Sequence, residues 1–388
     1  MARKKAPEST PEPAAEAAAP TDGYTVVARR YRPQQFEQLI GQDAVAQALG
    51  NAITSNRVAH AYLFTGARGV GKTSTARILA KCLNCVKGPT LHPCGECDAC
   101  KAIAVGEDVD VLEIDGASNR GIDEIRDLRS NVQYRPQRAR YKIYIIDEVH
   151  MLTGPAFNAL LKTLEEPPPH VKFIFATTEA TKIPITILSR CQRFDFCGIG
   201  LGQLKEGLAR IVASEGKEAD PEAIELVARR AGGSMRDAQS LLDQLLAFSE
   251  GKLTVERVHQ MLGTAHEERV AALAHAIADK DAKQALALVA DAADRGLQLG
   301  EMLDQLIEYW RDLMVVQAAG IEVQALGVTG PNRERLEKAA RAMSPETILA
   351  GLDVLVTAKN RLKFTSHGRI VLEMAVVRLA RLDEMLGV

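Results

Sequence analysis

A glycine-rich stretch between a short apolar run and a helix-like run constrains this chain more than any other feature. Residues 66–73 read Gly-Ala-Arg-Gly-Val-Gly-Lys-Thr and fit the Gly-x4-Gly-Lys-[Ser/Thr] pattern of a phosphate-binding loop. The apolar run 61–64 precedes the loop and the helix-like run 73–83 follows it, which is the setting that the pattern requires. The alternative, a glycine-rich turn with a chance Lys-Thr pair, does not explain these flanks. The sequence therefore predicts a nucleoside triphosphate site.

The residue types of the loop suit phosphate binding. Its glycines let backbone N–H groups turn toward phosphate oxygens, and the helix N-terminus adds a partial positive charge at the same place. We expect the Lys72 ammonium to reach the β and γ phosphates and the Thr73 hydroxyl to bind Mg²⁺. The nucleotide-binding residues predicted in the loop are Gly66, Ala67, Arg68, Gly69, Val70, Gly71, Lys72, Thr73 and Ser74.

A second apolar run, residues 141–146, ends in the carboxylates of Asp147 and Glu148. Following a phosphate loop, this is a Walker B arrangement, in which Asp147 holds Mg²⁺ and Glu148 is the base that orients the attacking water. A further apolar run, residues 172–176, ends in Thr177 and Thr178, whose hydroxyls can reach between the carboxylates and the γ phosphate. The predicted chemistry is hydrolysis of ATP to ADP and phosphate.

Four of the seven cysteines have the spacing of a metal site. Cys85, Cys94, Cys97 and Cys100 contain two consecutive Cys-x2-Cys steps, which favours a tetrahedral thiolate site. Zn²⁺ accepts four thiolates without redox chemistry, so the sequence predicts a closed, structural zinc site. A reduced cysteine cluster and an iron–sulfur cluster are the alternatives. Cys82, Cys191 and Cys197 are interpreted as buried or incidental thiols.

Three segments carry arginines whose partners the sequence leaves open. Arg29, Tyr31 and Pro33 belong either to the wall of a nucleotide-base pocket or to a surface segment packed on the first helix. Residues 126–142 hold six basic residues against one acid, which favours phosphate contacts and a solvated face equally. Arg236 lies in the first turn of a helix that Ser234 is predicted to cap, where a cation indicates either an anionic partner such as ATP or simple exposure.

The overall composition leaves the class of partner open. The 388 residues have a formal net charge of −2, which neither indicates nor excludes nucleic acid. Residues 1–22 are rich in Ala, Pro, Glu and Thr and are predicted to be a disordered tail. No apolar run reaches the length of a membrane span, and no apolar stretch follows the basic N-terminus as it would in a secretory signal. We therefore expect a cytoplasmic protein without a membrane segment.

These motifs together resemble the gamma/tau subunits of bacterial DNA polymerase III, the ATPases of the sliding-clamp loader. The resemblance covers residues 24–263 and extends more loosely to the end of the chain. The segments that carry it are 28–33 (Ala-Arg-Arg-Tyr-Arg-Pro), the phosphate loop, the four-cysteine set, 147–150 (Asp-Glu-Val-His), 159–167 (Ala-Leu-Leu-Lys-Thr-Leu-Glu-Glu-Pro), 189–191 (Ser-Arg-Cys) and 233–238 (Gly-Ser-Met-Arg-Asp-Ala).

The resemblance implies an AAA+ fold, an α/β class with a parallel sheet and helices on both faces. It implies an ATPase core at residues 23–198 that contains the zinc module at 85–100. A small helical lid at 199–264 and an all-α collar for oligomerisation at 265–388 would follow.

The resemblance also implies roles for single residues. Arg190 would be an arginine finger acting in trans on the ATP of a neighbouring subunit, whereas the alternative is an arginine that pairs with a local carboxylate. Thr177 or Thr178 would be sensor 1 and Arg236 sensor 2, and the segment 29–33 would border the adenine. Asn119 and Arg120 would face primed DNA.

The function that the resemblance implies is ATP-driven loading of a ring-shaped sliding clamp onto primed DNA, together with other loader subunits. Because the longer form of the family carries C-terminal domains that bind helicase and polymerase, we expect the clamp-loading role here rather than replisome coupling. Two alternatives are a P-loop helicase, since 147–150 resembles an Asp-Glu-x-His box, and a non-hydrolysing structural subunit of the loader.

Overall fold

The computed structural model describes residues 24–119, 121–248, 251–262, 267–322, 332–362, 364–365, 367–382 and 384. The predicted tail at 1–22 and Arg120 lie outside these residues. The chain divides into two compact units. The first comprises Met1–Ile211 and Ala228–Gln244, and the second comprises Val212–Val227 and Leu245–Val388.

The first unit is built on a sheet in which the described strands are all parallel. The strands are β1 (Ala61–Gly66), β2 (Val111–Asp115), β3 (Lys142–Asp147), β4 (Val171–Thr177) and β5 (Gln192–Phe196). Their order across the sheet is β2-β3-β4-β1-β5, which places the strand before the phosphate loop between the strand of the two threonines and β5. The α/β class and the parallel sheet predicted from the sequence are confirmed.

One strand begins later than its sequence pattern predicts. The alternation of acidic and apolar residues from Asp108 to Ile114 favours a strand over the whole stretch, but β2 begins at Val111. The buried Asp108 carboxylate accepts hydrogen bonds from the backbone N–H groups of Asp110 (2.9 Å) and Val111 (3.1 Å). These local bonds compete with a strand ladder, because short acidic side chains readily bind nearby backbone groups.

Helices cover both faces of the sheet in this unit. They are α1 (Val27–Arg30), α2 (Asp43–Thr54), α3 (Lys72–Asn84), α4 (Asp98–Val105), α5 (Ile122–Val132), α6 (Gly154–Glu165) and α7 (Ile185–Leu188). Tyr62 and Phe64 point to the face that packs with α2, α3 and α4, whereas Leu63 points to the face that packs with α5, α6 and α7. This alternation follows from the two-residue period of a strand, and it leaves β1 buried on both sides.

Helices continue after β5 in the described residues. They are α8 (Leu201–Ser214), α9 (Pro221–Arg230), α10 (Met235–Phe248) and α11 (Val255–Leu262). The Ser234 hydroxyl accepts the N–H of Asp237 at 3.2 Å, which confirms the predicted cap of the helix that carries Arg236.

The described part of the second unit is helical from Glu267 onward. Its elements are α12 (Glu267–Ala278), α13 (Ala282–Asp294), α14 (Leu299–Ala319), α15 (Asn332–Ala342), α16 (Pro345–Leu362) and α17 (Gly368–Ala380). Its core surrounds the fully buried Trp310. Gly296 lies between α13 and α14, and Gly320 directly follows the last residue of α14. None of the described helices is long and apolar enough to cross a membrane.

Candidate nucleotide-binding site and metal centre

The phosphate loop begins where β1 ends, at the carboxyl edge of the sheet. Gly66 has φ 143° and Gly69 has φ 75°, so both have backbone conformations that L-residues with side chains rarely adopt. A Cβ atom on Gly66 would lie 2.3 Å from the Phe196 carbonyl oxygen. A Cβ atom on Gly69 would lie 2.0 Å from the Ser234 hydroxyl. The glycines therefore permit both the turn of the loop and its close contact with the segment before α10.

The side chain of Lys72 lies inside the curl of the loop. Its Nζ donates to the carbonyl oxygens of Gly66 at 2.8 Å and Ala67 at 2.7 Å. Burial lowers the pKa of Lys72, while the charges of Glu148 and Asp147 oppose that shift. An ammonium held at the mouth of a ring of backbone amides is well placed to bind phosphate oxygens.

The structure brings together the two predicted ligands of Mg²⁺. The Thr73 hydroxyl at the start of α3 donates to Oδ2 of Asp147 at the end of β3, at 2.7 Å. A hydroxyl and a carboxylate are both hard oxygen ligands of the kind that Mg²⁺ prefers. These two side chains therefore fit a magnesium ion, which would neutralise charge on the β and γ phosphates when bound.

The predicted base, Glu148, is held by the polar side chains that follow β3 and β4. Its backbone is left-handed, with φ 45° and ψ 44°. Thr178 donates to its Oε2 at 3.1 Å. The Nδ1 atom of His150 lies 3.4 Å from the same oxygen and 3.0 Å from the Thr177 hydroxyl. Sequence reasoning assigned no role to His150, although it stands in the Asp-Glu-Val-His segment.

Arg236 lies in the first turn of α10, directly beside the phosphate loop. Its backbone N–H donates to the Gly69 carbonyl at 3.3 Å. The segment with Arg29, Tyr31 and Pro33 is anchored nearby, because the Val27 N–H donates to Asp243 of α10 at 3.3 Å. Two 2.7 Å bonds from the buried Lys81 ammonium of α3 hold Gln34, one to its carbonyl and one to its side-chain oxygen.

Cations converge on this segment. Burial lowers the pKa of Arg32, and the charges of Arg77, Arg236 and Arg29 lower it further, against an opposing contribution from Glu113. Arg32 is therefore within electrostatic reach of Arg29 in its own segment and of Arg236 in the first turn of α10.

Arg190 lies at the opposite edge of the sheet from the phosphate loop of its own chain. It precedes β5, whose Gln192 pairs with Tyr62, whereas the loop follows Gly66, which pairs with Phe196. The four steps from Gln192 to Phe196 along β5 correspond to about 13 Å at the rise of a strand. Within its own chain the guanidinium donates to Glu165 at 2.6 Å, to the Thr186 carbonyl at 2.7 Å and to Ser189 at 3.2 Å.

The four predicted metal ligands are brought together. The sulfur atoms of Cys85, Cys94, Cys97 and Cys100 lie within 4.8 Å of one another, and the Cys85–Cys94 and Cys94–Cys100 pairs are 3.6 and 4.0 Å apart. Zn–S bonds of about 2.3 Å in a tetrahedron require sulfur–sulfur distances of about 3.8 Å, so the set fits zinc. Hydrogen bonds from the backbone N–H groups of Cys97 and Glu96 lower the pKa of Cys94 to about 6, which favours the thiolate.

Basic residues at the end of the 126–142 stretch contact other parts of the first unit. Arg138 pairs with the buried Asp108 at 2.6 Å, Arg140 donates to the carbonyl oxygens of Cys85 and Val86, and Lys142 donates to the Asn131 carbonyl at 2.9 Å. These contacts hold the four-cysteine segment and the residues that lead into β3. The sequence offered two interpretations of this stretch, phosphate contacts or a solvated face, and neither included the structural contacts that these residues make.

The loop after β2 is turned onto its own strand. Asn119 donates to the Asp115 carbonyl from its backbone N–H at 2.9 Å and from its side chain at 3.0 Å, and the Ser118 hydroxyl donates to the Asp115 carboxylate at 2.6 Å. Arg120, its predicted companion in DNA contact, lies outside the described residues.

Family models match most of the chain from residue 41 to residue 387. "DNA polymerase III, delta subunit" matches residues 41–199. "DNA polymerase III clamp loader subunit, ATPase lid domain" matches 203–251, and "DNA polymerase III subunits gamma and tau domain III" matches 253–387. The "DNA polymerase III subunit gamma" of Buchnera aphidicola from Acyrthosiphon pisum is 36% identical over 92% of this chain and 98% of that protein. The chain belongs to the DNA polymerase III gamma/tau family.

Longer members of the gamma/tau family match it as well. "DNA polymerase III subunit tau" of Salmonella typhimurium is 42% identical over 92% of this chain, but the match covers 55% of that protein. The protein of the same name from Bacillus subtilis is 42% identical over 92% of this chain and 63% of its own length. The chain thus spans little more than half the length of such relatives.

Solved structures with a similar arrangement include the Holliday junction branch migration motor RuvB of Thermotoga maritima. It is 19% identical and covers 64% of this chain and 79% of its own, with a TM-score of 0.46. The Bacillus subtilis clamp loader delta protein is 13% identical and covers 87% of this chain and 99% of its own, with a TM-score of 0.37. The resemblance to the gamma/tau family that the sequence motifs indicated is confirmed by the sequence relatives and family models.

Proposed function

We propose that this chain is an ATP-hydrolysing subunit of the DNA polymerase III clamp loader, which uses ATP to load the ring-shaped sliding clamp onto primed DNA. The observation that carries the proposal is the meeting of Lys72, Thr73, Asp147 and Glu148 at one edge of the sheet. A glycine loop with a buried ammonium binds phosphate, and an adjoining pair of carboxylates supplies a metal ligand and a base. Because the chain belongs to the gamma/tau family, we assign this ATP hydrolysis to clamp loading.

The proposed roles follow the positions of the side chains. Backbone amides of residues 66–74 and the Lys72 ammonium hold the phosphates, and Thr73 with Asp147 binds Mg²⁺. Glu148 accepts a proton from, and orients, the attacking water. Because the Thr177 hydroxyl is engaged by His150 and the Glu179 N–H, Thr178 is the better candidate for sensor 1. Arg236 contacts the phosphates as sensor 2, and the segment 29–33 borders the base.

The proposed organisation keeps the boundaries derived from the sequence. Residues 23–198 are the ATPase core, 199–264 the lid, and 265–388 the collar that joins other loader subunits. The four-cysteine set binds Zn²⁺ as a structural ion, since four thiolates leave no open position for chemistry. Primed DNA is contacted through basic and polar residues such as Asn119 and Arg120, and the protein acts in the cytoplasm.

The proposed finger, Arg190, acts on ATP bound by the next subunit. It precedes β5, whose length of about 13 Å separates the start of that strand from the end that pairs with Gly66, and this supports action in trans rather than in cis. The pair with Glu165 does not prevent this role, because exposed ion pairs contribute less than about 1 kcal/mol and exchange readily. A guanidinium on the γ phosphate is worth roughly 10³–10⁵ in rate, and lysine lacks the planar fork that the role needs.

Mixing of two inactive variants tests the shared site. Arg190→Ala subunits are expected to bind ATP normally but not to hydrolyse it in assembled loaders, while Lys72→Ala subunits lose phosphate contacts. In mixed complexes an intact loop meets an intact finger at some junctions, so part of the ATPase rate should return. If complexes shown by mass spectrometry to contain both variants hydrolyse ATP no faster than either variant alone, the shared-site mechanism is wrong.

A further inference from the structure

One buried ring beside the Walker B carboxylates has no part in the roles given above. The side chain of His150 is 6% exposed and both of its nitrogens face polar atoms. Nδ1 lies 3.0 Å from the Thr177 hydroxyl and 3.4 Å from Oε2 of Glu148. Nε2 lies 3.4 Å from Oε1 of Glu179. The ring therefore connects the ends of two neighbouring strands, β3 and β4, at the site of hydrolysis.

The contacts on Glu148 fall on one of its two oxygens. The Thr178 hydroxyl donates to Oε2 at 3.1 Å, and Nδ1 of His150 approaches that same atom. From the residues that the structure describes, Oε1 receives no hydrogen bond. A base that orients water needs one oxygen free to accept the water proton while the other fixes the plane of the carboxylate. The observed division of contacts provides this arrangement.

The ring is itself fixed from behind. The Thr177 hydroxyl, fully buried at the end of β4, accepts the backbone N–H of Glu179 at 3.0 Å. Glu179 is held in turn by Lys182 at 2.8 Å. A rotation of the His150 ring away from Glu148 would break its 3.0 Å contact with Thr177 and its 3.4 Å contact with Glu179. Its position is determined by packing and hydrogen bonds, as positioning groups at catalytic sites require.

We infer that His150 is a positioning residue for ATP hydrolysis, whose Nδ1 holds Oε2 of Glu148 so that Oε1 is directed at the attacking water. The inference rests on the proposed function and names a new residue within that site. In this role His150 does not contact ATP, so its loss should change hydrolysis without changing ATP binding. Loss of the ring should lower kcat by about 10²-fold, the cost of misplacing a reacting group by roughly 1 Å, and leave KM unchanged.

Two amide variants distinguish which nitrogen matters. The amide of asparagine occupies the place of Nδ1, whereas the longer glutamine reaches the place of Nε2. His150→Leu fills the space without either contact and is the packing control. Single-turnover hydrolysis and binding of a fluorescent ATP analogue are measured for each variant in the assembled loader. We expect His150→Asn to recover most of the kcat lost in His150→Leu, and His150→Gln to recover little, with equal ATP affinity in all three.

Either of two results would overturn the inference. The first is a parental kcat in His150→Leu. The second is recovery by glutamine and not by asparagine, which would assign the role to the Glu179 contact instead. If the leucine variant fails to bind ATP, the comparison of the two amides still decides. Glu148→Gln is assayed beside them. Parental hydrolysis in that variant would refute the proposed base, whereas its loss together with an unaffected His150→Leu would refute only the role of His150.

Discussion

The contact between the phosphate loop and the start of α10 makes a quantitative prediction for Gly69→Ala. The new Cβ would lie 2.0 Å from the Ser234 hydroxyl and 3.1 Å from the Arg236 Cβ, at a residue with φ 75°. The left-handed backbone costs an alanine about 1–2 kcal/mol. The hydroxyl must also turn away, which removes its bond to the Asp237 N–H, a cap worth about 1 kcal/mol. We expect a total cost of about 2–3 kcal/mol.

The matched control is Gly232→Ala. Gly232 has φ 54°, so it carries similar backbone strain, but a Cβ there meets no atom within 4 Å. It should cost only the strain, about 1–2 kcal/mol. Ser234→Ala removes the hydroxyl nearest to the new Cβ. Making this change in both the parental chain and Gly69→Ala separates the contribution of this contact from that of the backbone strain. That change should cost about 1 kcal/mol in the parental chain and almost nothing in Gly69→Ala.

Hydrogen exchange is the assay that reports on this contact. The only tryptophan of the chain, Trp310, lies in the second unit, so its fluorescence does not follow the loop. The amide of Asp237 is protected by Ser234 and that of Arg236 by the Gly69 carbonyl. Both should exchange faster in Gly69→Ala than in Gly232→Ala, by a factor of about ten for each 1.4 kcal/mol. Equal exchange in the two variants, or an equal cost of Ser234→Ala in both backgrounds, would refute the reasoning.

Three further predictions concern the metal, the base and the loop before β3. Purified protein should contain one zinc per chain by elemental analysis, and Cys85→Ser should lose it; a chain without zinc or another thiolate metal would contradict the assignment. Lys72→Ala should weaken ATP binding, whereas Glu148→Gln should bind ATP and not hydrolyse it, as separate binding and turnover assays would reveal. Asp110→Asn should destabilise the first unit by about 2–5 kcal/mol, measured by chemical unfolding followed by circular dichroism. The buried Asp110 carboxylate accepts the Gln137 N–H at 2.7 Å, whereas the amide NH2 of asparagine would face that N–H as a second donor. A cost below about 1 kcal/mol would count against this prediction.

The catalytic edge of the sheet was predictable because its residues lie within local patterns. Glycines mark the loop because its turn needs positive φ, and this places β1 directly before it. The apolar run before Asp147 indicates a buried strand, which is β3. The cap at Ser234 is local too, since it binds an amide three residues later.

Contacts between residues far apart in the chain were not predictable. Nothing in the spacing of residues 126–142 indicates that Arg138 pairs with Asp108 or that Arg140 holds the carbonyl of Cys85. Asp110 fits a strand by alternation, yet its carboxylate accepts the backbone N–H of the distant Gln137. Likewise, the approach of Gly69 to Ser234 joins residues separated by most of the first unit. Charge and alternation describe residue types, whereas these contacts depend on the fold.

The parallel register of β1 and β5 gives an assembly of such chains a direction. If Arg190 acts in trans as proposed, each subunit would offer a nucleotide at the carboxyl edge of its sheet and a guanidinium at the amino edge, so neighbours would meet head to tail through two unlike surfaces. In a closed ring of identical chains every junction would be complete. In an open row, the first nucleotide would lack a finger and the last finger would lack a nucleotide. The number of working sites would then be one fewer than the number of chains, and a subunit lacking its own loop would be harmless only at the end that contributes a finger.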